Sequence, residues 1–306
     1  MTLNTNRLRI LREVAARGTI TAAADALYLT PPAVSHQLAT LEREIGLPLL
    51  ERTARSVRLT DAGRRLVAHA DVILADCEAA IADVAAFSHE VSGTVRISFF
   101  QTVAQSIALP ALSELARTFP NLEITLQGLE LVRALPALRA GALDIALSHE
   151  WDFVPMAPDP AFTRHDLLSD PIVALLPAGH RLAGGPVRLK DLANERWCVA
   201  QEDATSRQAV ERVAQSAGFE PHIVLESNYF RAIGAAVEAG LGVGIVPVMT
   251  DLRGLDIAIR PLIEPSMGRR IFAAVRAGSD ESPTIRTVLD AMERAAAAYE
   301  ASAPAD

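Results

Sequence analysis

Two cysteines in 306 residues, Cys77 and Cys198, are too few and too far apart for a disulfide framework or a metal-site spacing. No apolar run reaches the length of a membrane span, and the amino terminus lacks the charged-then-apolar pattern of a secretion signal. No serine sits in a Gly-x-Ser-x-Gly elbow, His89 and Glu90 complete no zinc-protease pattern, and no acid–base pair clusters at a credible spacing. GLGVGIVP carries three alternate glycines, but it follows a helical stretch and no phosphate loop continues from it, so a dinucleotide site is not expected. These absences leave a cytoplasmic protein that is not an enzyme, with no cofactor, metal or membrane partner. At 306 residues and 50% apolar content it can fold as two or three units. The net charge is −8, yet residues 1–60 hold eight arginines against five acids, a local surplus of +3. Local positive charge on an acidic chain is what phosphate binding needs.

Residues 18–52 hold two short helical patterns joined by a tight turn. Thr19 or Thr21 can cap a first helix through Leu27, Tyr28 and Leu29 form the turn, and Thr30 caps a second helix that opens on Pro31 and Pro32. A threonine hydroxyl accepts an orphan amide there, and proline loses nothing because its missing donor has no intrahelical partner. Ala23 and Ala24 allow a close crossing, Leu27, Val34, Leu38 and Leu41 form the apolar stripe, and Ser35, His36 and Gln37 point outward. This is a helix-turn-helix. Leu8, Leu11, Val14 and Ala15 predict a preceding helix, and Arg52, Arg55 and Arg58 in ERTARSVRLT predict a two-stranded wing with basic tips.

Residues 61–91 predict one long helix with two interleaved heptad series, Leu66, Ile73, Ala80 and Phe87, and Ala70, Cys77, Val84 and Val91. Interleaved heptads define a coiled-coil seam, which calls for a second copy of the chain. Ser92 and Gly93 mark a hinge, after which strands and helices alternate. TVRISF, LEITLQ and LDIALS predict strands, with helices over Ser106–Phe119 and Leu131–Ala140 between them. A second unit of the same kind starts near residue 168, and a strand at RIFAAVR with a helix from Ser282 to about Ala301 returns to the first. The fold class is therefore α/β, with an N-terminal winged helix-turn-helix, a long linker helix and two lobes enclosing a cleft. The domains are 1–60, 61–92 and 93–306, with lobe I about 93–167 and 268–306 and lobe II about 168–267.

Ligands of open α/β sheets bind beyond the carboxyl ends of strands, where helices begin. That rule selects Gln101, Thr102, Val103, Ser148, His149, Thr205, Asn228, Tyr229, Val246 and Pro247. None is Lys or Arg, which suggests a small, partly apolar effector held by hydrogen bonds. Cys198, inside the WCVA strand, reads as buried and structural.

Residues 1–92 resemble the DNA-binding and linker region of the LysR-type transcriptional regulators. The resemblance rests on Ala23, Ala24, Leu27, Thr30, Pro32, Ala33, Val34, Ser35, Gln37, Leu38, Leu41, Glu42, Gly46, Leu49, Arg52, Thr53, Arg58, Leu59, Thr60 and Gly63. The remainder looks like that family's effector domain, with a periplasmic-binding-protein shape. The resemblance implies a homodimer through antiparallel linker helices (Leu66, Ala70, Ile73, Cys77, Ala80, Val84 and Phe87) and tetramers that bend double-stranded promoter DNA. It implies base contacts from Ser35 and His36, backbone or methyl contacts from Thr30, Pro32 and Gln37, and a minor-groove contact from Arg55. Arg52 and Arg58 support the wing or touch phosphate. Two residues depart from the family pattern: Pro31 replaces a polar residue, often Gln, and His36 stands where Arg is common. Thr205 lies near the position of a cysteine in peroxide-sensing members, which speaks against oxidant sensing.

Overall fold

The computed structural model describes residues 3–52, 57–86 and 91–302. Helix α1 (Thr5–Arg17) is capped by Asn4 and ends at Gly18, whose φ of 71° suits glycine. Thr19, not Thr21, caps α2 (Ile20–Ala26) by accepting from the Ala22 amide at 3.1 Å. Thr30 caps α3 (Pro31–Ile45) through the Ala33 amide. The wing strands β1 (Leu50–Arg52) and β2 (Val57–Leu59) pair antiparallel, and α4 (Asp61–Ala86) follows. Ile10, Leu11, Ala23, Ala24, Val34, Leu38, Leu41 and Leu49 form the core of this part. Glu42 fastens the wing to α3, accepting from the Leu49 and Leu50 amides at 2.8 and 3.1 Å.

The effector body begins with β3 (Gly93–Phe99). The helix predicted over Ser106–Phe119 starts earlier and is interrupted: α5 (Gln101–Val103), a π-helical turn Ala104–Ala108, then α6 (Leu109–Thr118). Such wide turns accommodate an extra residue and occur often beside functional sites. The chain continues through β4 (Leu122–Gly128), α7 (Leu131–Ala140), β5 (Ile145–Trp151), β6 (Phe162–Pro177) and β7 (Val187–Arg188). Then come β8 (Arg196–Val199), α8 (Thr205–Ser216), β9 (His222–Glu226), α9 (Phe230–Glu238), β10 (Gly244–Pro247), β11 (Ile257–Ile263), β12 (Gly268–Arg276) and α10 (Pro283–Ser302).

The main sheet runs β4-β3-β5-β12-β6-β11-β7, with β10 also on β6. Its β3, β4 and β5 are parallel, but β12 is antiparallel to both β5 and β6, so the sheet is mixed. Strand β6 belongs to both lobes: residues 162–171 pair with β12, and 172–177 pair with β10 and β11. The change of lobe expected near residue 168 thus falls inside a strand. One core gathers around Ile97, Ile107, Ile271 and Leu289, and the other lobe packs on Trp197, Val199, Val243 and Ile245. Cys198 is fully buried, and burial pushes its thiol up. Among the described residues no helix is long and apolar enough to cross a membrane.

The DNA-side helices touch lobe I of the same chain. Arg12 of α1 donates to the Arg139 carbonyl at the end of α7 (3.2 Å) and faces Asp71 at 3.7 Å. Buried Glu13 pairs with Arg17 and lies 3.9 Å from Arg139. Arg276 of β12 pairs with Glu78 of α4 at 3.1 Å, and Arg9 approaches Glu78 at 3.9 Å.

Gly63 is fixed by proximity rather than by φ: a Cβ there would stand 2.1 Å from the Leu49 carbonyl oxygen. Gly63→Ala must therefore displace the joint of wing and linker. We expect a loss of about 1–3 kcal/mol in urea unfolding, the usual cost of overpacking, and no change would mean the joint yields freely.

Candidate functional site

Two faces carry site chemistry. On the first, Val34, Leu38 and Leu41 turn one side of α3 into the core, which leaves Pro32, Ala33, His36 and Ala39 exposed and Ser35 half-buried. Thr30 is exposed at the start of that helix. Gln37 is held: its Oε1 accepts from Arg7 Nε at 3.1 Å, and Arg7 also pairs with Glu44. Arg58 is exposed on β2, opposite Glu51. Arg55 and Phe87 lie outside the described residues, as does the side chain of Arg52.

Of the expected seam residues, Leu66 packs on the helix-turn-helix core and Ala70 is fully buried within the chain. Both face the α1 side because α4 carries a second apolar stripe, through Ala70, Leu74 and Ala82, that its own chain covers. Ile73 is half-buried, while Cys77, Ala80 and Val84 are exposed, together with Ile81 at 69%.

The second face is a cavity of about 270 Å³ in the cleft. Gln101, Thr102, His149, Thr205 and Asn228 line it, as the strand-end rule anticipated. Five others do not. Val103 and Val246 are in the cores, Pro247 is buried away from it, Ser148 faces the other side of β5, and Tyr229 is exposed to solvent. Phe230, one residue on, takes the place expected for Tyr229. The expectation of a lining without basic groups is also corrected, since Arg133 and Arg269 both line the cavity, with Phe100, Glu130, Trp151 and Asp203. Register explains what the sequence pattern could not: Arg269 lies directly opposite Trp151, and Ile271 opposite His149, on antiparallel β12 and β5.

Arg269 organises the floor. Its Nε and Nη2 donate to Asp170 at 2.9 and 2.7 Å, and Nη2 also donates to the Thr102 hydroxyl. Asp170 in turn accepts from the Met249 amide at 3.1 Å, across the lobe boundary. The guanidinium carbon lies 5.2 Å from the Phe100 ring centre and 5.5 Å from that of Trp151. Phe100 meets His149 edge-on at 4.6 Å, and Trp151 meets Phe230 at 6.4 Å. Among the described residues the indole N–H of Trp151 and Nδ1 of His149 are buried without partners. An unmet buried polar group costs about 1–3 kcal/mol, so two side by side call for an explanation.

The likenesses to known proteins agree with these two faces. Residues 5–64 match the bacterial regulatory helix-turn-helix of the lysR family, and residues 88–297 match the LysR substrate binding domain. The transcriptional regulator ShiR of Corynebacterium glutamicum is 37% identical over 224 residues, covering 72% of this chain and 74% of that protein. The nitrogen assimilation regulatory protein nac of Escherichia coli is 28% identical, covering 94% and 93%. The crystal structure of full-length BenM superposes with a TM-score of 0.59 at 25% identity, covering 99% of this chain and all of that one.

Burial, with Arg269 nearby, pushes His149 down to about 3. In the unfolded chain an imidazole titrates near 6.5, so below that pH the unfolded state takes up a proton that the folded state refuses. Stability therefore falls as pH drops from about 6.5 toward 3, by up to about 1.4 kcal/mol per pH unit. Denaturant titrations between pH 6 and 4 should show His149→Asn losing less stability than the native chain; equal slopes would mean the buried imidazole accepts the proton.

Proposed function

The chain belongs to the LysR family of transcriptional regulators, and from that premise we propose how its residues divide the work. It is a DNA-binding regulator whose C-terminal, two-lobed domain binds a small-molecule effector, and it self-associates. Residues 1–60 bind promoter DNA in the cytoplasm, 61–92 link and dimerise, and 93–306 receive the effector. The observation that carries the DNA reading is α3, a helix capped by Thr30 and buried on one side, with His36 exposed and Ser35 half-buried on the open side and Arg58 exposed on the wing. Ser35 and His36 read base edges, while Thr30, Pro32 and Gln37 touch backbone or a thymine methyl. Arg52 and Arg58 support the wing or meet phosphate, and Arg55 enters the minor groove.

Ile73, Cys77, Ala80 and Val84, joined by Ile81, form an apolar strip that a second copy's linker helix would cover. Dimerisation there presents two recognition helices about 34 Å apart, or a multiple of that. The effector occupies the cavity with Gln101, Thr102, His149, Thr205 and Asn228. The route outward is α7. Leu131, Val132 and Arg133 at its start line the cavity, while the Arg139 carbonyl at its end accepts from Arg12 of α1. A ligand that prefers one arrangement of the lobes biases α7, and with it the seat of α1.

For DNA binding, Arg58→Ala is expected to weaken affinity for a duplex bearing the chain's own promoter region. The loss should be uniform across sequences, with the salt slope smaller by about 1 in fluorescence anisotropy. An unchanged slope would remove Arg58 from the phosphate contacts. For coupling, Arg12→Met, which removes the donor to the Arg139 carbonyl, is expected to reduce the effector's influence on DNA affinity by about 0.5–2 kcal/mol, with effector binding retained by calorimetry. Undiminished coupling would rule α7 out as the route.

A further inference from the structure

We propose that the effector is a monocarboxylate with a compact apolar body, its carboxylate held by Arg269 and Trp151 and its body by Phe100, Trp151 and Phe230. The inference deepens the reading of this cavity as the effector site and rests on it.

The first argument is an imbalance of donors. Among the described residues Arg269 Nη1 donates to nothing, while Nε and Nη2 are taken by Asp170 and Thr102. The Trp151 indole N–H has no partner although the residue is only 4% exposed, and His149 Nδ1 has none either. Guanidinium and indole groups donate and never accept. His149 and Trp151 stand two apart on β5 and share a face, and the register puts Arg269 directly across from Trp151 on that same face. Arg269 Nη1 and the Trp151 N–H are thus unmet donors on one face of the cavity floor, and a ligand acceptor can take both. A carboxylate offers two oxygens and no donor, so it can take both the guanidinium and the indole; a hydroxyl satisfies one and brings a proton of its own.

Charge limits the ligand to one such group. Asp170 already takes Nε and Nη2 of Arg269, so one guanidinium nitrogen is left, enough for a single ligand carboxylate. Glu130, which feels the charge of Arg269, and Asp203 add two acids to the lining against Arg133, so a second carboxylate would be repelled. The start of α8 lies on the same rim and carries no side-chain cap. Its amides offer a further contact on lobe II for the same carboxylate.

Shape sets the body. About 270 Å³ is smaller than a drug-sized pocket and excludes a nucleotide or a peptide. The walls are aromatic and belong to different lobes: Phe100 and Trp151 to lobe I, Phe230 to lobe II. A flat or chair-like apolar body touches both, which gives the ligand its preference for the closed arrangement of the lobes.

The test uses the full chain and four probes in calorimetry and thermal unfolding: phenylacetate, cyclohexanecarboxylate, phenylacetamide and acetate. Both ring carboxylates are expected to bind and to raise the unfolding midpoint. Phenylacetamide, the same shape without the charge, is expected to bind at least about tenfold more weakly, and acetate without detectable heat. Trp151→Phe keeps the ring and deletes the N–H, and is expected to weaken phenylacetate by about five- to tenfold with phenylacetamide little changed. Equal binding of phenylacetate and phenylacetamide would overturn the proposal. So would the failure of both ring carboxylates, or an unaltered affinity in Trp151→Phe. Anisotropy on promoter duplex without any probe runs alongside: loss of that signal counts against the regulator reading, while its survival with failed carboxylates counts against this proposal alone.

Discussion

The ion pair between Arg269 and Asp170, each side chain 1% exposed, is the contact on which the effector body depends. It sits where β6 passes from lobe I to lobe II. Asp170 belongs to β6, Arg269 to β12, Thr102 to the start of the interrupted helix, and the Met249 amide to lobe II. Burial raises the Asp170 carboxyl and lowers the Arg269 guanidinium, and their mutual hydrogen bonds oppose both shifts. A buried pair of this kind adds little net stability over well-packed apolar groups. Its consequence is geometric. One guanidinium ties β12 to β6 and to Thr102 and also lines the cavity, so the lobe boundary and the cavity floor share the same few atoms.

The N-terminal part was legible because its signals are local. Thr30 with the two prolines after it, the alanines at the crossing and the stripe Val34, Leu38 and Leu41 each report on a neighbour three or four residues away, and all were found where expected. The cleft was half legible. The strand-end rule locates Gln101, Thr102 and His149, because it needs only the end of a strand and the start of a helix. It could not separate Ser148 from His149 or Tyr229 from Phe230, since one residue's shift reverses the face. It could not find Arg269 at all. That residue lies near the start of β12, 99 positions from Asp170, and nothing nearby in sequence says which strand β12 joins or in what register.

The linker helix teaches a related lesson. Its sevenfold pattern is real, but α4 carries two apolar stripes, and periodicity does not say which partner each one meets. Ala70 and Leu74 belong to the chain's own packing, whereas Cys77, Ala80 and Val84 stay open. The glycine at 278 shows how close the intrachain contact is: a Cβ there would meet the Ala75 carbonyl oxygen at 2.4 Å. A helix already fastened on one side can offer a partner only the other, so the orientation of any dimer is constrained before the second copy arrives.

The same logic revises the charge count. Four of the eight arginines in residues 1–60 are already committed: Arg7 to Glu44, Arg9 toward Glu78, Arg12 toward Asp71 and Arg17 to Glu13. Two of those acids, Asp71 and Glu78, lie beyond residue 60 and so escape a sum taken over that segment. A surplus of +3 therefore misplaces the charge. The arginines of α1 bind the DNA-side helices to lobe I and to each other, and among the described residues the exposed arginines of this segment are Arg58 on the wing and Arg43 toward the far end of α3. The exposed arginines of this segment thus belong to the wing and α3, while α1, the helix that carries the contact with α7, is already satisfied by acids of its own chain.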